Sequence, residues 1–316
     1  MQALVPATEF DYLLNSSSVA FGLHLIVIMK AGYVNIFGKP NAGKSTLLNA
    51  LMGEKLAIVS SKVQTTRHRI KGFLTTDEYQ IIFSDTPGII EPKYKLHEKM
   101  MGAVKGSLED ADVALLLVDV KDNLEEVNSI FEGLNLNVPA IVVINKIDKV
   151  NKEKTTEVAE YFSSKPYAKK VITVSALQKA KLDDLLKEVI SFLPEGEPFY
   201  DSEDITDSTT RFLVGELIRE KIFELFGEEV PYQTTVLVTE FKEKTTLIKI
   251  AADIIVHRET QKGIILGEGG KMIKKLGTEA RASIEKFLDS KIFLELFVKV
   301  KPKWRDNDMQ LKEYGY

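Results

Sequence analysis

The chain has 316 residues and no cysteine. Disulfides are therefore excluded, and so is every zinc site built on thiolates. Histidine is scarce. His24, His68, His97 and His257 lie far apart and form no local metal motif. Residues 19–29 form an apolar run broken by His24, too short to span a bilayer. It has no basic n-region and no small-residue cleavage site, so it does not read as a signal peptide. Residues 1–28 are expected to be an extension ahead of the first domain, with Met29 as an alternative start. An interfacial membrane-touching segment is the second reading. No internal repeat or low-complexity block stands out.

What is present is an ordinary globular composition, 44% hydrophobic, on a chain long enough for two domains. The net charge of −4 is unevenly spread. Residues 195–210 hold six acids and no base, while residues 211–316 hold 19 bases against 17 acids.

The chain is organised around Gly38-Lys39-Pro40-Asn41-Ala42-Gly43-Lys44-Ser45, which fits G-x-x-x-x-G-K-[ST]. Two glycines let the backbone curl with its N–H groups toward a phosphate. Lys44 places a point charge on the β- and γ-phosphates. The Ser45 hydroxyl suits Mg²⁺, and the helix starting at Ser45 and Thr46 aims its positive end at the anion. Tyr33-Val34-Asn35-Ile36-Phe37 reads as the strand before the loop. By residue usage, about one chain in a hundred of this length would carry the pattern by accident. Further motifs downstream weaken that explanation.

Residues 53–72 read as a mobile loop, in which Thr66, or Thr65 as second choice, reaches Mg²⁺. Tyr79-Gln80-Ile81-Ile82-Phe83-Ser84-Asp85 reads as a strand ending in an acid that can hold Mg²⁺, and the Gly88 N–H can meet the γ-phosphate. Continuous apolar runs at residues 113–120 and 139–144 suit strands buried on both faces. Leu182, Leu185, Leu186 and Val189 suit a covering helix. Asn145-Lys146-Ile147-Asp148 follows a strand. The Asp148 carboxylate can accept from both N–H groups on one edge of guanine, a donor pair that adenine lacks. Asn145 can bond N7 or the loop, and the Lys146 stem can lie along the base. Ser175 and Ala176 can offer backbone N–H groups to guanine O6. The result is a doubly wound, mostly parallel α/β sheet with ligand at the strands' carboxyl ends.

These stations in this order resemble the translation-factor-related family of small GTPases. The resemblance implies GTP and GDP as ligands with Mg²⁺ at Ser45, Thr66 and Asp85. Nucleotide contacts are expected from Gly38, Asn41, Ala42, Gly43, Lys44, Ser45, Thr46, Asp85, Gly88, Asn145, Lys146, Asp148, Ser175 and Ala176. Lys44, Asp85, Gly88 and Asn41 are the candidates for catalysis. One departure matters: Ile89 stands where Ras-like enzymes carry the glutamine that orients water. In similar GTPases an asparagine at the position of Asn41 helps hold K⁺; the alternative is that Asn41 merely tolerates its backbone conformation.

Residues 194–210 read as an acidic linker. Phe212, Leu213, Leu217, Ile218, Ile222, Leu225 and Phe226 mark an amphipathic helix. Two strands follow, then Gly267-Glu268-Gly269-Gly270 between helices, then an alternating strand at residues 291–300. That order and the G-x-x-G resemble a type II KH domain, an α+β fold that grips single-stranded RNA. Gly267, Gly269, Gly270, Lys271, Lys274 and Lys275 are the RNA-binding candidates. Glu268 departs from the pattern, since an acid there repels phosphate.

A GTPase domain joined to a type II KH domain resembles the Era family of bacterial ribosome-assembly GTPases, from about residue 30 onward. The resemblance implies GTP hydrolysis and binding near the 3′ end of small-subunit ribosomal RNA on the small ribosomal subunit. It also implies GTP-dependent exposure of the RNA site, a cytoplasmic protein, and peripheral contact with the inner face of the cell membrane in some members. A monomer is expected. The expected bounds are 29–193 for the GTPase domain, 194–210 for the linker, 211–301 for the KH domain and 302–316 for a tail. A phosphotransferase using the same loop leaves Asn145-Lys146-Ile147-Asp148 and the second half unexplained. A pure RNA module leaves the intact phosphate loop unexplained.

Overall fold

The structure, a computed structural model, describes residues 28–316. The expected N-terminal extension lies outside the described residues except for Ile28. The first half is one sheet with helices on both faces. Its parallel strands are β1 (Met29–Gly38), β3 (Tyr79–Asp85), β4 (Val113–Asp119), β5 (Ala140–Asn145) and β6 (Ala168–Thr173). An antiparallel strand, β2 (Ile70–Thr75), closes one edge, giving the order β2-β3-β1-β4-β5-β6. The order reverses at β1, so a crevice opens where the phosphate loop leaves its carboxyl end.

The apolar runs become the central strands because both faces are covered. Helices α1 (Lys44–Met52) and α5 (Leu182–Phe192) pack on one face through Leu47, Leu48, Leu185 and Val189. Helices α2 (Lys95–Glu109), α3 (Leu124–Gly133) and α4 (Lys152–Ser163) cover the other through Val104, Phe131 and Phe162. Caps fix several helix starts. Asn123 accepts from the Glu126 N–H at 3.0 Å, and Asn151 from the Lys154 N–H at 3.0 Å. Such a cap contributes about 1 kcal/mol.

Two expectations change here. Residues 70–72, expected as loop, begin β2, because pairing with β3 supplies order that their mixed polarity does not announce. The acidic stretch 194–210 is not a free linker but is tied along the sheet. Its first residues form β7 (Glu195–Gly196), antiparallel to Met29 and Lys30. The Phe73 N–H donates to Ile205 O at 2.9 Å, and Lys71 pairs with Asp207 at 2.9 Å.

The second half is a three-stranded sheet, β8 (Thr235–Glu243), β9 (Ile248–Val256) and β10 (Ile292–Val300), with order β10-β9-β8. Helices α6 (Thr210–Leu225), α7 (Glu259–Leu266) and α8 (Lys271–Leu288) bury Ile218, Ile222, Ile265, Leu276 and Ile284 against it. The last segment, expected as a tail, is packed. Trp304 and Leu311, the latter in α9 (Asp308–Glu313), are fully buried with Leu96 and Met100 of α2 and Ile255 of β9. It joins the two halves, since its few apolar residues find both at once.

Candidate functional site

The phosphate loop meets helix α1 at Gly43. Gly43 has φ 101°, and a Cβ there would stand 2.4 Å from the Asn145 amide nitrogen. Only glycine gives both the left-handed turn and that approach. No side chain caps α1, so its first N–H groups stay free for an anion. Lys44 is buried and donates to Gly38 O at 3.0 Å and Lys39 O at 2.9 Å. Burial lowers its pKa to about 8, against the opposing pull of Asp85 and Asp122.

Ser45, Thr66 and Asp85 converge. The Ser45 hydroxyl donates to Asp85 Oδ2 at 2.6 Å and lies 2.8 Å from the Thr66 hydroxyl, which donates to the same oxygen at 3.1 Å. Asp85 Oδ1 is buried without a partner among the described residues, and burial pushes this carboxyl up. A buried oxygen left unpaired beside two hydroxyls fits a hard divalent cation such as Mg²⁺. Thr65 turns away; its hydroxyl donates to Lys62 O at 2.7 Å. Gly88 faces Pro40, 2.9 Å from a Cβ built on it. Pro40, Asn41, Lys44, Ser45, Thr46 and Gly88 line one cavity with residues of the loop between α1 and β2.

The opposite side of the site is stitched together by Asn145. Its amide donates to Ala42 O at 3.0 Å, and its Oδ1 accepts from the N–H groups of Lys146 at 2.8 Å and Ala176 at 3.0 Å. Asn145 thus bonds the phosphate loop and the Ala176 backbone at once. The Lys146 ammonium lies 2.6 Å from Asp119 and donates to Asn41 O at 2.6 Å. Ser175 donates to Asp148 Oδ1 at 2.5 Å, which orients that exposed carboxylate. Asn41 has φ 63° and donates to Ser61 O at 2.9 Å, which leaves its amide oxygen available.

The first half matches the family model described as 50S ribosome-binding GTPase over residues 33–146, and the second matches the KH domain model over residues 229–305. GTPase Era of Clostridium kluyveri is 43% identical over 292 residues, covering 92% of this chain and 100% of that protein. GTPase Era of Geotalea uraniireducens is 46% identical, covering 91% and 98%. The chain belongs to the Era family of GTPases. A crystal structure of Era in complex with MgGDPNP and nucleotides 1506–1542 of 16S ribosomal RNA superposes with a TM-score of 0.88, at 42% identity, over 91% of this chain and 99% of that one. An Aquifex aeolicus Era variant bound to GDP·AlF4⁻ does so equally well. Like its Era relatives, the chain is a P-loop GTPase with a KH domain.

The Era-type second half carries the G-x-x-G between α7 and α8. Gly267, Gly269 and Gly270 have φ of 69°, 58° and 78°. Three left-handed residues in four turn the chain sharply enough to expose backbone at the tip. Gly270 starts α8 with no side-chain cap. Lys271 and Lys275 are exposed, as is Glu268, which lies 3.6 Å from Lys271 and offsets part of its charge. A groove beside them is lined by Ile273, Lys274, Gly277, Arg281, Phe293 and Leu294.

Sequence reasoning missed several residues. Asp119 ends β4 as Asp85 ends β3, and that position was the available signal. His97 and the buried pair Arg67 and Arg219 had none, because their partners are distant in sequence. The Arg67 guanidinium donates to Thr234 O at 2.8 Å, Pro231 O at 2.9 Å and Tyr232 O at 3.2 Å, all in the KH half. Arg219 of α6 donates to Thr65 O at 2.5 Å.

Proposed function

We propose that this GTPase is a switch whose KH half takes up the 3′ end of small-subunit ribosomal RNA during assembly of the small subunit. The observation that carries this reading is the near full-length likeness to Era bound to that RNA and a GTP analogue. The description "50S ribosome-binding GTPase" belongs to a model matching only residues 33–146, so it weighs less for the RNA half. The protein works as a cytoplasmic monomer. Among the described residues no helix is long and apolar enough to cross a membrane.

Chemically, Asp148 selects guanine and Lys44 neutralises the β/γ-phosphates. Ser45, Thr66 and Asp85 would hold Mg²⁺, which when bound offsets charge on the phosphate oxygens. The Gly88 N–H and Thr66 report the γ-phosphate, since both loops lose a partner when it leaves. The test is hydrolysis and binding with GTP against ATP, each with and without a 16S 3′-end oligonucleotide and a scrambled control. GTP preference with tighter binding to the authentic RNA is expected. Equal binding of both oligonucleotides would overturn the RNA assignment, and equal use of ATP the guanine assignment.

The same site gives K⁺ a seat at the Asn41 amide oxygen. Intrinsic turnover should be slow, near the Ras scale of about 10⁻⁴ s⁻¹. Replacing K⁺ by Na⁺ should slow it further, and Asn41→Ala should erase the difference. Identical rates in both salts would leave Asn41 a loop residue only.

A further inference from the structure

Hydrolysis needs a group that aligns the attacking water, and Ile89 cannot serve. Its partly buried side chain packs against the core cluster on the α2–α4 face of the sheet and carries no group that can bond water. Asn41 lines the cavity, and its Nδ2 is held by Ser61 O. One more amide lines the cavity, that of Gln64. Its Oε1 lies 3.1 Å from His97 Nε2, and its NH2 has no partner among the described residues.

The tautomer of His97 follows from its other nitrogen. The Lys93 N–H donates to Nδ1 at 3.4 Å, so the ring proton sits on Nε2 and is donated to Gln64 Oε1. The ring is buried, and its pKa is lowered to about 4 by burial and by Arg305, Arg67 and Lys93, so it is neutral at pH 7. The amide of Gln64 is thereby turned with its NH2 outward. The backbone is fixed too. Gln64 has φ 58°, and the next residues are pinned through Thr65 O by Arg219 and by Arg67 itself.

We propose that Gln64 is the water-orienting catalytic residue of this GTPase, with His97 as its positioning residue. The free lone pair of Oε1 accepts from the attacking water, and the NH2 donates to a γ-phosphoryl oxygen. The water oxygen forms a bond to the γ-phosphorus while the bond to the β–γ bridging oxygen breaks. GDP leaves with that electron pair, and the water's proton passes to a γ-phosphoryl oxygen. Gln64 carries no charge and takes no proton. It restores from the loop before β2 the amide that Ile89 withdraws from the loop after β3. The proposal rests on the GTPase reading and adds the group that does the aligning.

The test is single-turnover GTP hydrolysis by the full chain, with affinity for a fluorescent GTP analogue measured alongside. Gln64→Ala should lower the rate by about a hundredfold, as loss of one preorganised transition-state donor does. Its GTP affinity should stay within about threefold and its melting temperature should not move. The drop should appear in both K⁺ and Na⁺, which separates it from Asn41. His97→Ala should cost roughly tenfold, and His97→Gln, whose Nε2–H reaches the same place, should recover most of it. A Gln64→Ala rate within twofold of wild type would overturn the proposal. So would a loss of hydrolysis matched by equal loss of affinity, since Gln64 would then be a binding contact. A wild type that fails to hydrolyse GTP would overturn the activity itself.

Discussion

At the scale of single residues, the proposed guanine selection rests on one carboxylate. Asp148 is exposed, but Ser175 holds one oxygen at 2.5 Å and so fixes its plane. Asp148→Asn turns one acceptor into a donor. GTP affinity should fall roughly tenfold or more for each charge-assisted bond lost, while xanthosine triphosphate should bind better than GTP. Competition binding with the two nucleotides checks this; a variant that still prefers GTP would remove Asp148 from recognition. Lys44 supports a second prediction. Its pKa of about 8 is below that of the unfolded chain, so between about pH 8 and 10.5 the unfolded state holds more protons and stability rises with pH. Phosphate favours the ammonium, so binding above pH 8 takes up a proton and GTP affinity falls as pH rises. Calorimetry at pH 8.5 in buffers of different ionisation enthalpy should show net proton uptake. The placing of these residues at the carboxyl ends of β1 and β5 was legible in sequence because chemistry dictates their type and spacing. His97 and Asp119 were not, because each is defined by a partner brought near only by folding.

At the scale of elements, the central strands were readable because they are apolar throughout, a pattern imposed by burial on both faces. Strand β2 was not, since it is an edge strand with Lys71, Gly72 and Thr75 in it. Helix α6 was read as amphipathic, yet it buries Arg219 and Glu220 as well as Leu213 and Ile218. Its polar face is covered by the loop before β2: Lys55 lies 2.5 Å from Glu220, and the Val59 N–H donates to Glu220 at 3.1 Å. No pattern in α6 reveals that second cover. The α7–α8 turn was legible by its glycines and gives the third prediction. Among the described residues nothing lies within 4 Å of a Cβ placed on Gly270, so Gly270→Asp meets no neighbour, but it strains a backbone at φ 78° and adds a negative charge. RNA affinity should collapse while GTP binding survives. Glu268→Lys should tighten RNA binding and steepen its salt dependence. A merely damaged fold can imitate the first variant but not the second. If gel shifts across a salt series move for neither, the turn is an ordinary helix connection.

At the scale of the whole molecule, the two halves are locked by buried charge beside the apolar cluster around Trp304 and Leu311. Arg67, 3% exposed, is the next residue after Thr66. Its guanidinium satisfies three carbonyls of the KH half, while the Thr66 hydroxyl lies against Ser45 and Asp85. One residue therefore lies in the proposed nucleotide site and its neighbour grips the other domain. Lys62 reinforces the grip by donating to the carbonyls of Phe223 and Phe226. His68 stacks on Tyr316 at 4.3 Å, which ties in the last segment. Such buried polar contacts add little net stability but fix one arrangement against others, and breaking one costs about 3–5 kcal/mol. A shift of Thr66 toward an arriving γ-phosphate and Mg²⁺ must move Arg67, and the KH half must either follow or lose its contacts. Arg67→Ala removes that link at a residue that contacts neither Ser45 nor Asp85 nor the G-x-x-G turn, although it also loosens the loop that carries Gln64. The prediction is that RNA affinity, stronger with a GTP analogue than with GDP in the wild type, becomes independent of nucleotide in the variant. GTP affinity should stay within a few fold, and unfolding by calorimetry should separate into two transitions as the halves lose their shared contacts. If the variant keeps the nucleotide dependence of RNA binding, Thr66 and the KH half are coupled through the packed segment at residues 301–316 instead, where Trp304→Ala should abolish it.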